Sequence, residues 1–152
     1  MTLKLKIPPP LIMLCAAAII WWLPSVWPMY LVDIIWVKAI GVLLILTGAG
    51  IDLWSVFQFR GQNTTINPLS PEKTKSLVIH GLYHYSRNPM YLGMLLILLG
   101  WICLLGHVSS LLVLPIFIMT LNYLQIMPEE QQLQQLFGDS YSQYCRSVRR
   151  WL

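Results

Sequence analysis

Charge is what this chain has least of. Of its 152 residues, 10 are Lys or Arg and 6 are Asp or Glu, 11% in all, where an ordinary soluble domain carries about 25%. So few charges cannot clothe a globular surface in water, which excludes the soluble classes first. Apolar residues take their place: 57% of the chain is hydrophobic and its mean hydropathy is +0.63. The length suits one compact membrane domain. A net charge of +4 does not point to nucleic acid, because Lys and Arg are spread out rather than gathered into one patch.

Cysteine is also scarce. Cys15 and Cys103 lie in apolar runs, Cys145 lies in the polar tail, and no C-x-x-C occurs. They read as small packing residues, not as a disulfide framework. His80, His84 and His107 lack partners at ligand spacing, so no metal site is expected. There is no internal repeat. Lys4 and Lys6 open like a signal peptide, but the apolar run continues through Trp21, Trp22 and Leu23 with no A-x-A site after it. An uncleaved membrane helix is expected.

Four apolar stretches are present, at about 11–32, 34–59, 90–105 and 108–127. Pro24 and Pro28 interrupt the first, which should kink or end early. A span takes roughly 20 residues, range about 17–25. The third stretch is short, and only "GHV" separates it from the fourth, so these two form a helical hairpin. With four spans, Lys4, Lys6, Arg60, Lys73, Lys75, Arg87, Arg146, Arg149 and Arg150 share one side and Lys38 has the other. That asymmetry sets both termini and the 60–88 loop in the cytoplasm. Trp21, Trp22, Trp27 and Trp36 read as an interfacial belt.

The expected fold is an all-α integral membrane protein with about four transmembrane helices, a C-terminal helical hairpin and cytoplasmic amphipathic helices. It forms one domain over 1–152, with a helix pair at 1–59 and a core at 60–152. The loop is too long for a connector and carries apolar islands at Leu77, Val78, Ile79, Leu82 and Tyr83, so it reads as ordered and functional. Beyond Met127, Leu133, Leu136 and Phe137 recur at helical spacing. Gly138 can end that helix and Asp139 or Ser140 can cap the next. Tyr141, Tyr144, Val148 and Trp151 then form the apolar stripe of an interfacial amphipathic helix.

Two polar features stand at the hairpin's ends. Asn88–Pro89 is a helix start, Asn being a good N-cap and Pro favoured at the first helical position. Its free N–H groups and the neighbouring Arg87 suit a carboxylate or phosphate. Glu129 and Glu130, after Pro128, suit an ammonium or ribose hydroxyls; the alternative is that they complement a helix dipole. Because the hairpin is antiparallel with almost no loop, residues 88 and 129 belong at the same membrane face, and a zwitterionic ligand would suit the pair. A regular helix also sets Gln125 and Glu129 on one face, although Pro128 disfavours helix at Met127. Asp52, about two turns inside the second span, is either a site or a partner of Arg60. Tyr83, Tyr85 and Tyr91 either stack on a ring or join the belt. His80 and His84 are solvated or act as bases.

The stretches "SLVIHGLYHYSRNPMYLG" and "EEQQLQQLFGDSYSQYCRSVRRW", with "RGQNTTINP" upstream, closely resemble the isoprenylcysteine carboxyl methyltransferase family in its short prokaryotic branch. The likeness covers about residues 60–152. "NPMY" also resembles phospholipid N-methyltransferases. The resemblance implies a membrane S-adenosylmethionine (SAM)-dependent methyltransferase acting on a lipophilic acceptor, with S-adenosylhomocysteine as product and a prokaryotic plasma membrane as its place. It implies donor contacts at Lys75, Ser76, Leu77, Val78, Tyr83, Asn88, Pro89, Met90, Tyr91 and Glu129, and catalytic parts for Arg87, Glu130 and Gln125. The chain has Asn88 where the eukaryotic pattern reads "RHPxY", and Gln125 where that branch carries an Arg aimed at the substrate carboxylate. The competing readings are a phospholipid N-methyltransferase, an NADPH-dependent membrane reductase of similar topology, and a non-enzymatic lipid binder. The expected partners are the bilayer and a lipid-like acceptor, with neither nucleic acid nor an obligate protein partner.

Overall fold

The computed structural model describes residues 7–29, 34–60 and 77–152. Lys75, Ser76 and most of the 60–88 loop lie outside those residues. Among the described residues the regular structure is helical: α1 (Pro9–Val26), α2 (Ile35–Arg60), α3 (Pro89–Leu105), α4 (Val113–Leu121) and α5 (Met127–Ser147). α1 opens on Pro9, whose fixed φ suits a first helical position, and closes two residues after Pro24, the early end its prolines predict. A 3₁₀ turn at Val108–Leu112 leads into α4, and a π turn at Asn122–Ile126 joins α4 to α5. Helical structure therefore runs from Val108 to Ser147, interrupted at Gly138. That rod, α1 and residues 35–58 of α2 are long and apolar enough to cross a membrane; α3, with 17 residues, is the shorter fourth. Four apolar elements and a short third one are what the sequence predicts.

α3 sits at the centre and presents two unlike faces. Tyr91, Met94, Leu98 and Ile102, spaced by three or four residues, pack with Ile12, Ala16 and Ile20 of α1 and with Val113, Phe117 and Leu121 of α4. The other face is nearly bare. A Cβ added at Gly48 would lie 2.5 Å from the Gly93 carbonyl oxygen, and one at Gly41 would lie 2.8 Å from that of Gly100. Between helices in lipid, apolar burial supplies little net attraction. Close approach of backbones across small residues does the holding instead. This pairing makes α2 antiparallel to α3, and its register carried four residues further sets Asp52 level with Pro89.

The structure corrects the sequence reading at two elements. Helix continues through Met127 (φ −61°, ψ −44°) despite Pro128. The π turn just before it changes which carbonyl each amide meets, so the N–H that proline lacks breaks no regular ladder. The regular-helix condition for Gln125 and Glu129 sharing a face is thereby lost. Gly138 does break the helix, at φ 50° and ψ −120°, and the stripe beyond it turns inward instead of lying on lipid. Tyr141, Tyr144 and Val148 are buried with Leu77, Leu133 and Phe137. Trp151 packs on the central core and its Nε1 donates to Asn122 Oδ1 at 3.2 Å. The C-terminal tail thus folds back over the end of the bundle where α3 begins.

Candidate functional site

The site is assembled from three directions. From α2, Gln58 Nε2 donates to the His80 carbonyl and Gln58 Oε1 accepts from Leu82 N–H, both at 3.3 Å. Between these two bonds lies Gly81 at φ 63°, where any Cβ would strike the Gln58 amide. Only glycine combines that φ with that space. The 3₁₀ turn Gly81–His84 then points Tyr83 inward, at 6% exposure, while His84 and Tyr85 stay exposed. The Tyr144 hydroxyl donates to the Tyr83 carbonyl at 2.6 Å, so the tail pins the turn from the far side. Burial pushes the Tyr83 phenol above its ordinary range; the charges of Glu129 and Asp52 push the same way, and a side-chain hydrogen bond with Ser55 opposes them.

Asn88 occupies the N-cap position of α3 with Pro89 next to it, as the sequence predicts, but its side chain does not cap. Asn88 Nδ2 donates to the Arg150 carbonyl at 2.9 Å, and Asn88 N–H donates to Ser86 Oγ at 3.1 Å. Arg87 N–H donates to the Arg149 carbonyl at 3.0 Å. These residues tie the tail to the head of α3. The first α3 amides keep no side-chain cap, and such amides seat an anion well.

The adjacent glutamates have different partners. The Tyr91 hydroxyl donates to Glu129 Oε1 at 2.7 Å. Glu130 accepts from Arg150 through Nε at 3.0 Å and Nη2 at 2.6 Å, and pairs with Arg87 Nη1 at 3.1 Å. Side-chain exposures of 15% for Arg87, 18% for Glu130 and 38% for Arg150 rank these pairs. The Arg87 pair is the better shielded from water and the stronger constraint, whereas solvent screens the closer Arg150 pair. Arg87 Nη1 also contacts Cys145 Sγ at 2.6 Å, and its buried Nε has no partner. A cleft of about 510 Å³ opens here, lined by Arg87, Arg150, Glu130, Gln134, Tyr141 and Cys145 among others. Small-molecule sites run from about 300 to 1,000 Å³.

Residues 88 and 129 therefore lie at one end of the hairpin, linked through Tyr91. Pro89, Tyr91, Val78 and Tyr83 are buried around them; Asn88, Met90, Leu77 and Glu129 are half-buried. Gln125 stands apart. It is buried on the π turn, and its Nε2 donates to the Ile7 carbonyl at 2.5 Å. Arg150, Tyr144, Gln58 and Ser55 join the constellation without any warning in the sequence. Arg150 reads there as one more tail cation, because no spacing rule says that a C-terminal segment returns to a glutamate twenty residues earlier. Among the described residues no group of His, Cys, Asp and Glu could hold a metal ion.

Residues 36–140 match the family model described as phospholipid methyltransferase. An uncharacterized protein of Haemophilus influenzae is 49% identical over 63 residues, which are 41% of this chain and 100% of that protein. A protein-S-isoprenylcysteine O-methyltransferase of Schizosaccharomyces pombe is 38% identical over 76 residues, 50% of this chain and 32% of its own length. Protein-S-isoprenylcysteine O-methyltransferase A of Arabidopsis thaliana is 28% identical over 113 residues, 74% of this chain and 57% of its own length. The chain thus spans less than two thirds of either named enzyme. No solved structure matches it. With more than half of its residues inside the matched model, and with its polar residues gathered at the hairpin's open end, the chain belongs to the phospholipid methyltransferase family.

Proposed function

We propose that this protein is a membrane-embedded SAM-dependent methyltransferase for a lipophilic acceptor, with residues 60–152 as its donor-binding core and its open end in the cytoplasm. The observation that carries the reading is the Tyr91–Glu129 hydrogen bond at the uncapped start of α3, beside the Arg87–Glu130–Arg150 cleft. SAM, when bound, supplies an activated methyl on a sulfonium. Its other charges, a carboxylate and an ammonium, call for opposite partners. The residues present fit them: amides of α3 and the unpartnered Arg87 Nε for an anion, and the Glu129 carboxylate for a cation.

Glu129, oriented by Tyr91, takes the donor's positive end. Asn88, Pro89, Met90 and the Tyr83 turn shape the other wall, with Leu77 and Val78 beneath; Lys75 and Ser76, outside the described residues, are proposed donor contacts as well. Arg87 holds an anion, and Glu130 anchors both guanidiniums. Methyl transfer asks the protein chiefly to hold nucleophile and methyl aligned and away from water, which a site between membrane helices does by construction. Gln125 has its donor engaged by Ile7 and adds no cation for an acceptor carboxylate.

Equilibrium binding to purified protein in nanodiscs tests the reading. Wild type binds SAM, and Glu129→Gln weakens that binding about 10- to 100-fold, the worth of a lost hydrogen bond to a charged group. NADPH does not compete. Absence of SAM binding, or tight NADPH binding, overturns the proposal. Labelled SAM supplied with a membrane lipid extract then identifies the acceptor.

A further inference from the structure

The π turn at Asn122–Ile126 has no task in the site as described, yet it lies just before Glu129. Val113, Phe117 and Leu121 of α4, then Gln125 of the turn, are all buried, each four residues after the last. On a regular helix each residue turns the chain by about 100°, so every fourth residue drifts forward by about 40°. Four such steps would leave Glu129 about 160° from Val113, turned away from the core. Glu129 is not there. It meets Tyr91, a residue of the same core as Val113, Phe117 and Leu121.

The wide turn makes up the difference. In it the Met127 N–H donates to the Asn122 carbonyl, five residues back, where a regular helix reaches back four. One extra residue is taken into the turn, and everything beyond it is set back by about 100°. Glu129 then ends within about 60° of Val113 and about 20° of Phe117. A regular helix no longer sets its direction; the wide turn does. Such turns are rare and appear mostly at functional sites.

Three features hold this one open. Gln125 Nε2 donates to the Ile7 carbonyl, in the stretch leading into α1. From the other end of the chain, Trp151 Nε1 donates to Asn122 Oδ1. Pro128 acts from within, because on a regular helix its ring would strike the carbonyl of Leu124. Gln125 is the least expected of the three. It is fully buried, and its Oε1 has no hydrogen-bond partner. An apolar side chain would carry no such cost, so packing alone does not account for an amide there.

We propose that Gln125 is a positioning residue for the donor site. By tying the π turn to the Ile7 carbonyl it sets the rotation of α5, and with it the meeting of Glu129 with Tyr91 and with the donor's positive end. The inference rests on the methyltransferase reading and gives Gln125 a part in it without contact with donor or acceptor.

The test uses two full-length variants that differ by one residue, with SAM binding measured in nanodiscs. The first carries Gln125→Leu and Pro128→Ala, which leave the turn free to close into regular helix. α5 then rotates by about 100°, and SAM affinity should fall at least tenfold. The second carries the same substitutions and also lacks Tyr123, the exposed residue of the turn. One residue fewer on a regular helix returns Glu129 to its native direction, so SAM affinity should recover to within threefold of wild type. A residue that served stability alone would not be rescued by a deletion. Should the first variant fail to fold, recovery of both folding and SAM binding in the second gives the same support. A first variant that binds SAM as wild type does overturns the proposal. So does a second variant that binds as weakly as the first or does not fold, which would make Gln125 a packing or ligand residue. Wild type that binds no SAM overturns the methyltransferase reading and this inference together. Wild type that binds SAM while the deletion restores nothing overturns this inference alone.

Discussion

The two flanks of α3 are built on opposite terms. Toward α5 and the tail, both glutamates have partners: Tyr91 holds Glu129, Arg87 and Arg150 hold Glu130, and Asn88 ties in the Arg150 backbone. Toward α2 the contact is made by bare backbone at Gly41, Gly48, Gly93 and Gly100, and the one acidic group there, Asp52, has an oxygen with no partner. The first flank is a paired polar network, in which Arg87 Nε still keeps no partner, and such pairing fixes a geometry. The second is a close-packed apolar crossing in which one carboxylate oxygen lies against the Gly93 notch without a partner.

Three substitutions break or sharpen this contrast. The largest effect falls on the glycine flank. Gly93→Leu drives a side chain into the Gly48 carbonyl, 2.7 Å from the first added carbon, and into Asp52. No monodisperse protein should elute on size exclusion in detergent, while Gly50→Leu, with nothing within 4 Å of its added carbon, should elute as wild type does. Next comes Glu130→Ala, which leaves Arg87 largely buried and without its carboxylate. A fully buried broken pair costs about 3–5 kcal/mol. Partial exposure of Arg150 reduces this to about 2 kcal/mol, read as a lower thermal midpoint in detergent. The smallest is Tyr91→Phe, which removes one hydroxyl. A stability loss of about 1 kcal/mol should accompany SAM binding roughly fivefold weaker, because Glu129 loses the group that orients it. A stability loss with unchanged SAM affinity would make Tyr91 a structural residue only.

Much of the fold is legible in the sequence. Apolar runs long enough to span locate the helices, the prolines near 24 and 28 shorten the first, and Gly138 breaks the last. The opposition of residues 88 and 129 is also legible, because a hairpin with almost no loop returns its two ends to the same face. Asn88 shows the limit of such reading. Its type and its place before Pro89 predict an N-cap, and the position is right, yet its amide goes to the Arg150 backbone. A cap rule describes an isolated helix, and here a distant segment offers a better-placed acceptor. The tail stripe shows the same limit, since periodicity says which residues share a face but not whether lipid or protein covers it.

Helix count, span lengths and the meeting of the hairpin's ends were set by the sequence itself, because hydrocarbon thickness and the rise of an α-helix are constants that a chain either matches or does not. Tertiary structure alone decided the partners: Glu129 with Tyr91, Glu130 with two arginines, and Asp52 Oδ1 with none among the described residues. Those choices depend on how helices rotate about their own axes and where the tail crosses them. Packing at glycine notches and at the Gly138 kink determines that rotation, and no local pattern along the chain encodes it.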